Sequence, residues 1–131
     1  MFDVVVGFAR LLDSLCVAKT VYDLVREGYS PTTVYRRVKL LREYGFVAEV
    51  EFKGVKHYHI TGLGAELLKT LRKAVVYRVV EELEKRKVKY RVVWGEEGKI
   101  TVKPKIIVSH ETLNIPPTYG LVEVVWGGKW R

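Results

Sequence analysis

The chain has 131 residues, enough for one domain or one small domain with an appendage, and its 48% hydrophobic content excludes disorder as the default. No uncharged apolar run could span a bilayer, and the N-terminus MFDVVVGFAR lacks the basic flank of a signal peptide. A lone cysteine, Cys16, excludes an internal disulfide and fits a reducing cytoplasm, while a net charge of +8 points to polyanionic partners, chiefly nucleic acid or an anionic membrane surface.

In chain order, Asp3 is predicted to cap a first helix with Val5, Phe8, Ala9, Leu12 and Leu15 at helical spacing. A second helix is predicted from about Val17 to Glu27, with Val17, Val21, Leu24 and Val25 inward and Gly28 as its stop. Ser30-Pro31, an N-cap serine followed by proline at the first helical position, opens a third helix over residues 31–44. At 100° per residue Val38 and Leu41 fall within about 40° of Val34, while Thr32, Arg36, Lys39 and Glu43 point the opposite way. Tyr35 and Arg42 occupy one flank, Thr33 and Arg37 the other, and Gly45 ends the helix.

AEVEF and VKHYHI around Lys53-Gly54 read as a hairpin. A two-residue loop sets Glu51 opposite Lys56. A three-residue loop sets Val50 opposite Tyr58 and Ala48 opposite Ile60, and is preferred because it gathers apolar residues on one face. Thr61 caps a fourth helix that runs to about Lys87, with a stripe of Leu68, Leu71, Val75, Val79 and Leu83. From Val88 the period becomes two. VKYRVVW and KITVKPKIIVS form a second hairpin, looped at Glu96-Glu97-Gly98, with Arg91 facing Lys103, Lys89 facing Lys105, Val92 facing Val102 and Trp94 facing Ile100. A loop with two prolines and a last strand, LVEVVW, complete a small antiparallel β-meander before the tail GGKWR.

Helix, helix, turn, helix, hairpin, helix is the order of a winged helix-turn-helix domain. Ser30, Thr33-Val34-Tyr35-Arg36, Val38, Leu41 and Gly45-Phe46-Val47 resemble the recognition helix of that superfamily in prokaryotic, archaeal-type transcription regulators. TVYRR is similar to the PadR and MarR-like groups, and YHITGLG to the junction after the wing. The likeness covers Val17 to Leu71, with Glu27 where the family usually has an apolar residue. It implies an α+β fold, a winged helix-turn-helix over residues 1–73 and a helix-plus-sheet extension over 74–131. It also implies a homodimer on double-stranded DNA, with half-sites about one helical turn apart.

The chemistry suits such a partner. A helix about 10–12 Å wide enters the major groove with its N-terminal residues at the base edges. Arg36 matches a guanine O6/N7 edge, Thr32 and Tyr35 reach bases or phosphates, and Lys39 neutralises a phosphate. Ser30, Thr33 and Arg37 complete the helix's candidate contacts, and Lys53, Lys56 and His57 are the wing's. The alternatives are a winged helix that docks on a protein, with its cations merely solvated, and, third, a nuclease.

Most of the positive charge lies elsewhere: residues 1–61 hold nine Lys/Arg against seven Asp/Glu, and residues 62–131 fourteen against eight. Lys89, Arg91, Lys99, Lys103 and Lys105 are predicted on one face of the second hairpin, as a second phosphate surface or, the preferred reading, as solvated protection of a sheet. The stripe on the fourth helix is a dimer seam, core beneath that sheet, or both. No enzyme is expected: Ser109-His110-Glu111 are sequence neighbours, which rarely converge on one reacting atom, and no phosphate loop or carboxylate cluster occurs. No cofactor, metal or membrane is expected, since His57 and His59 lack further ligands at metal spacing. Glutamine is absent and Asn114 is the only asparagine, a hyperthermophile profile in which surface cations also serve stability.

Overall fold

Helices and small sheets alternate along the chain in an α+β arrangement, and the computed structural model describes residues 2–95 and 100–128. It divides into two units, Met1–Leu68 and Lys69–Arg131. The first contains α1 (Phe2–Ser14), α2 (Val21–Arg26), α3 (Pro31–Glu43), the strands β1 (Val47–Phe52) and β2 (Val55–Ile60), and the start of α4 (Gly62–Lys85). Its core is Val6, Ala9, Leu11, Leu12 and Leu15 of α1 and the loop after it, Leu24, the Val34, Val38, Leu41 stripe of α3, and Val47, Tyr58 and Leu68.

Three helices end in the same way. The residue after each C-cap takes a left-handed backbone at Gly28, Gly45 and Lys87, with φ of 106°, 82° and 56°. The next amide then reaches back five residues, Tyr29 N to Leu24 O, Phe46 N to Leu41 O and Val88 N to Leu83 O, at 3.2, 2.9 and 3.1 Å. Each chain reversal thus satisfies orphan carbonyls and sets an apolar residue after a buried leucine. Lys87 is the one of the three that carries a Cβ into the left-handed region, which costs an L-residue roughly 1–2 kcal/mol. Lys87→Gly is expected to stabilise the chain by about 0.5–1 kcal/mol, because greater freedom in the unfolded chain offsets part of that relief. A rise in thermal midpoint checks it; a fall would mean that the lysine side chain contributes more than its backbone costs.

Helix α1 already includes Asp3, so that residue lies inside it rather than at its cap. Helix α2 starts at Val21, four residues later than its apolar spacing suggested. Lys19 is instead extended and bonds Tyr58 through both backbone groups, at 2.9 and 2.8 Å. Thr20 then caps the helix reciprocally with Asp23, each side chain 3.0 Å from the other's amide. Those bonds hold the Asp23 carboxyl below its ordinary pKa. Val17 is consequently exposed, and only Leu24 of α2 is buried. Ser30 occupies the N-cap of α3 but makes no side-chain cap bond, so the proline supplies the local bias to helix there.

The first hairpin has the two-residue loop: Glu51 pairs with Lys56 and Val50 with His57. Lys53 and Gly54 both have positive φ, 51° and 78°, the tight turn whose twist matches the strands it joins. Slipping one residue from the preferred register turns every β1 side chain to the other face. Val47, Glu49 and Glu51 therefore share a face with Tyr58, while Val50 and Phe52 lie on the outer face.

In the second unit, β3 (Tyr90–Val93), β4 (Lys105–Val108) and β5 (Glu123–Trp126) form a sheet in that order. It is not a meander, because β5 runs parallel to β4. Pro104 cannot donate to a ladder, and β4 begins only after it. Tyr90 pairs with Val108 and Arg91 with Ile107, which corrects the predicted pairing of Arg91 with Lys103 and Lys89 with Lys105. The offset is an even number, so the faces survive although the partners change. Ile106, Val108, Leu121 and Val122 are buried, as are Val75, Val76, Val79 and Leu83 of α4. That α4 stripe is therefore core within one chain. Leu71 is only half-buried; Arg72 is buried beside it, and its Nη1 donates to the Ile100 carbonyl at 2.6 Å. No helix among the described residues is long and apolar enough to cross a membrane.

Candidate nucleic-acid interface

An open groove of about 570 Å³ lies in the first unit between α3 and the inner face of the hairpin. Thr32, Tyr35, Arg36, Lys39 and Arg42 form one wall, Thr32, Arg36 and Lys39 from the side opposite the Val34, Val38, Leu41 stripe and Tyr35 and Arg42 from its flank. Lys56, Glu49 and Tyr58 come from the hairpin, and Val21 of α2 and Val38 line it as well. Arg36 and Lys39 are exposed, and Tyr35 is 65% exposed, a large aromatic left in water beside two cations. Four cations line the groove against a single carboxylate, that of Glu49.

The carboxylate is engaged through one oxygen. Glu49 Oε1 accepts from Arg42 Nη1 at 2.7 Å and from the Tyr58 hydroxyl at 3.1 Å, and Lys56 Nζ lies 3.9 Å away. Burial, reinforced by the hydrogen bond to Glu49, pushes the Tyr58 hydroxyl above its ordinary pKa, so the phenol keeps its proton at neutral pH and donates.

Of the residues singled out in the sequence, Thr32, Tyr35, Arg36, Lys39 and Lys56 come together on this groove. Ser30 and Lys53 are exposed away from its lining, and Thr33 is half-buried on the helix flank. Lys53 lies over the Phe52 ring, 5.4 Å from its centroid, at the hairpin tip. His57 faces the outer side of the hairpin, edge-on to Phe52, with Nδ1 3.0 Å from the Val55 carbonyl oxygen. Arg37 turns toward α1, its guanidinium against Gly7 and 5.5 Å over the Phe8 ring. Glu27, which departs from the resembled pattern, pairs with Lys19 at 3.0 Å. Arg42 and Glu49 were passed over as site residues in the sequence. The signal available for Glu49 was the Lys53-Gly54 dipeptide, which suits a two-residue turn and so turns Glu49 toward the groove.

On the second unit, Arg91 and Lys105 share the outer sheet face with exposed Val93 and Val125. Lys105 Nζ lies 3.8 Å from Glu123 Oε2, so part of that charge is locally countered. Lys89 is exposed just before β3, its carbonyl accepting from Ser109; Lys103 is half-buried before Pro104. Lys99 lies outside the described residues, as do the Glu96-Glu97-Gly98 loop, Lys129, Trp130 and Arg131. Among the described residues no group of three His, Cys, Asp or Glu could hold a metal ion.

Comparison with family models, with curated proteins and with solved structures found no match to this chain.

Proposed function

We propose that the chain binds duplex DNA sequence-specifically as a transcription regulator, with residues 1–73 acting as a winged helix-turn-helix and residues 31–44 as its major-groove helix. The observation that carries this reading is the groove. Thr32, Tyr35, Arg36 and Lys39 line up on the solvent face of α3, with Lys56 across from them on the hairpin. A convex helix face bearing Arg and Thr suits base edges. The cationic hollow beside it suits the phosphodiester strand that borders the groove, since phosphate contacts position a protein while base contacts specify.

The stripe that the sequence offered as a dimer seam is buried in the chain's own core, so a homodimer on paired half-sites would use another surface. One observation favours a second reading: the outer face of the hairpin exposes Val50, Phe52 and Val55 together, which suits docking on a protein.

The test is affinity for a random-sequence duplex measured across 50–300 mM salt. DNA binding predicts a steep fall with salt, of roughly 0.9 log unit of affinity per log unit of salt for each phosphate neutralised. No binding at 50 mM salt would sink the DNA reading and leave the protein-docking one. Loss of binding on charge reversal at Lys89, Arg91 and Lys105 alone, with the α3 cations intact, would move the main contact to the second unit.

A further inference from the structure

The groove contains a negative charge where a DNA-binding surface would be expected to have none, and that charge is not idle. One oxygen of Glu49 takes the Arg42 guanidinium at 2.7 Å and the Tyr58 hydroxyl at 3.1 Å, with the Lys56 ammonium at 3.9 Å. Tyr58 is a core residue, and its backbone is tied on one side to β1 and on the other to Lys19. The hydroxyl that bonds Glu49 is therefore held by the fold, and Glu49 is held with it. The Glu49 side chain is only 27% exposed, against 45% for Arg42 and 63% for Lys56. The cations thus reach toward a comparatively fixed carboxylate.

From this we infer that Glu49 is an internal counter-anion that withholds Arg42, and in part Lys56, from phosphate, and so limits how tightly the groove grips DNA of any sequence. The inference rests on the DNA-binding reading above. Arg42 lies one turn beyond Lys39 on the same wall and is the natural third cation for a phosphate strand along α3. Paired with Glu49, it presents little net charge to an incoming phosphate, which must either displace the carboxylate or approach it against repulsion. Arg36 and Lys39 have no carboxylate among the groove-lining residues except Glu49 itself, and they carry the contact. The consequence is a weaker sequence-independent grip. Sequence-independent affinity comes from the number of phosphates neutralised, whereas base contacts add a term that does not depend on that number. Lowering the first without touching the second weakens binding to every duplex alike, so base contacts supply a larger share of the affinity that remains.

Glu49→Gln tests this with little change of shape, since the amide oxygen still accepts from Tyr58 and Arg42. Freeing one phosphate contact steepens the salt slope by about 0.9 and raises affinity at 0.1 M salt by roughly eightfold; freeing two gives about 1.8 and sixtyfold. The experiment uses the full chain and a random 20-base-pair duplex, with salt titrations of the wild type, Glu49→Gln, Arg42→Ala, Lys39→Ala and the Arg42→Ala/Glu49→Gln double variant. We expect Glu49→Gln to bind more tightly with a steeper slope, and adding Arg42→Ala to remove about one contact's worth of that gain. In the wild-type background Lys39→Ala should flatten the slope by about 0.9 and Arg42→Ala by much less. That last comparison leaves Glu49 untouched and decides the matter even if its replacement impairs folding.

Unchanged or weaker binding by a folded Glu49→Gln, or equal slope losses in Arg42→Ala and Lys39→Ala, overturns the inference while leaving the DNA reading intact. A wild type that binds no duplex at 50 mM salt overturns both.

Discussion

Gly64→Ala is expected to destabilise the first unit by about 2–3 kcal/mol, among the largest effects of any single-methyl change in the chain. Gly64 is buried in the first turn of α4, where a Cβ would run into the Phe46 backbone carbonyl and the Ile60 side chain. Neither obstacle is free to move. Phe46 is held by its amide's bond to Leu41 O, and its carbonyl accepts from Thr61 N at 3.0 Å. Thr61 in turn donates through Oγ1 to Gly45 O at 2.6 Å and accepts from Gly64 N at 3.0 Å. The end of α3, the end of β2 and the start of α4 therefore meet at one point, and the missing side chain is what lets them. For a unit of this size each kcal/mol shifts the thermal midpoint by about 4–8 °C, so a fall of about 8 °C or more is expected. Gly62→Ala is the control: a Cβ there meets nothing within 4 Å, and its backbone φ is ordinary. If the two variants melt together, the junction is more compliant than its geometry implies.

What the sequence made legible follows from which signals are local. The α3 stripe of Val34, Val38 and Leu41 is buried as its 3.6-residue spacing requires, because Pro31 and Gly45 fix both ends and leave a single register. The Thr61 cap, the two left-handed glycines and the hairpin strands were readable for the same reason. The start of α2 was not, because Val17 happens to extend the apolar period of Val21 and Leu24. The competing signal, Thr20 three residues before Asp23, lay inside the predicted helix. The burial of Arg72 was not legible either, because its head finds the Ile100 carbonyl, a residue 28 positions away that no periodicity could supply. Strand direction is invisible to a period of two, so the parallel pairing of β5 with β4 could not be read from LVEVVW.

The candidate site shows the same division more sharply. Its helical wall was written in the spacing of Thr32, Arg36 and Lys39, but its hairpin wall depended on register. Preferring the register that collected Ala48, Val50, Tyr58 and Ile60 maximised apolar burial on paper. The observed turn instead exposes Val50 and Phe52 and turns Glu49 inward. In a two-stranded ribbon with one covered face, turn geometry at Lys53-Gly54 outweighs two exposed apolar side chains, each of which forfeits only the burial its own edge could have gained. The cost in exposed surface and the carboxylate in the groove come from one turn.

Arg36→Ala and Lys39→Ala are expected to weaken DNA binding in different ways, and that difference is the sharpest test of whether α3 reads sequence. Both side chains are exposed on the groove, so folding stability should move by less than about 0.5 kcal/mol. Lys39 carries a compact charge suited to a phosphate. Its loss should lower affinity for every duplex alike and flatten the salt slope by about 0.9. Arg36 carries the planar fork that fits a guanine edge. Its loss should cost about 1–3 kcal/mol, roughly 5-fold to 150-fold, on a duplex selected from a random pool by the wild type, and much less on unselected DNA. Repeating the selection with Arg36→Ala should then yield a motif degenerate at one base pair and otherwise unchanged. If instead both variants lose affinity equally on selected and random duplexes, the groove grips phosphate without reading bases. A sequence-specific regulator would then be the wrong description even though DNA remained the ligand.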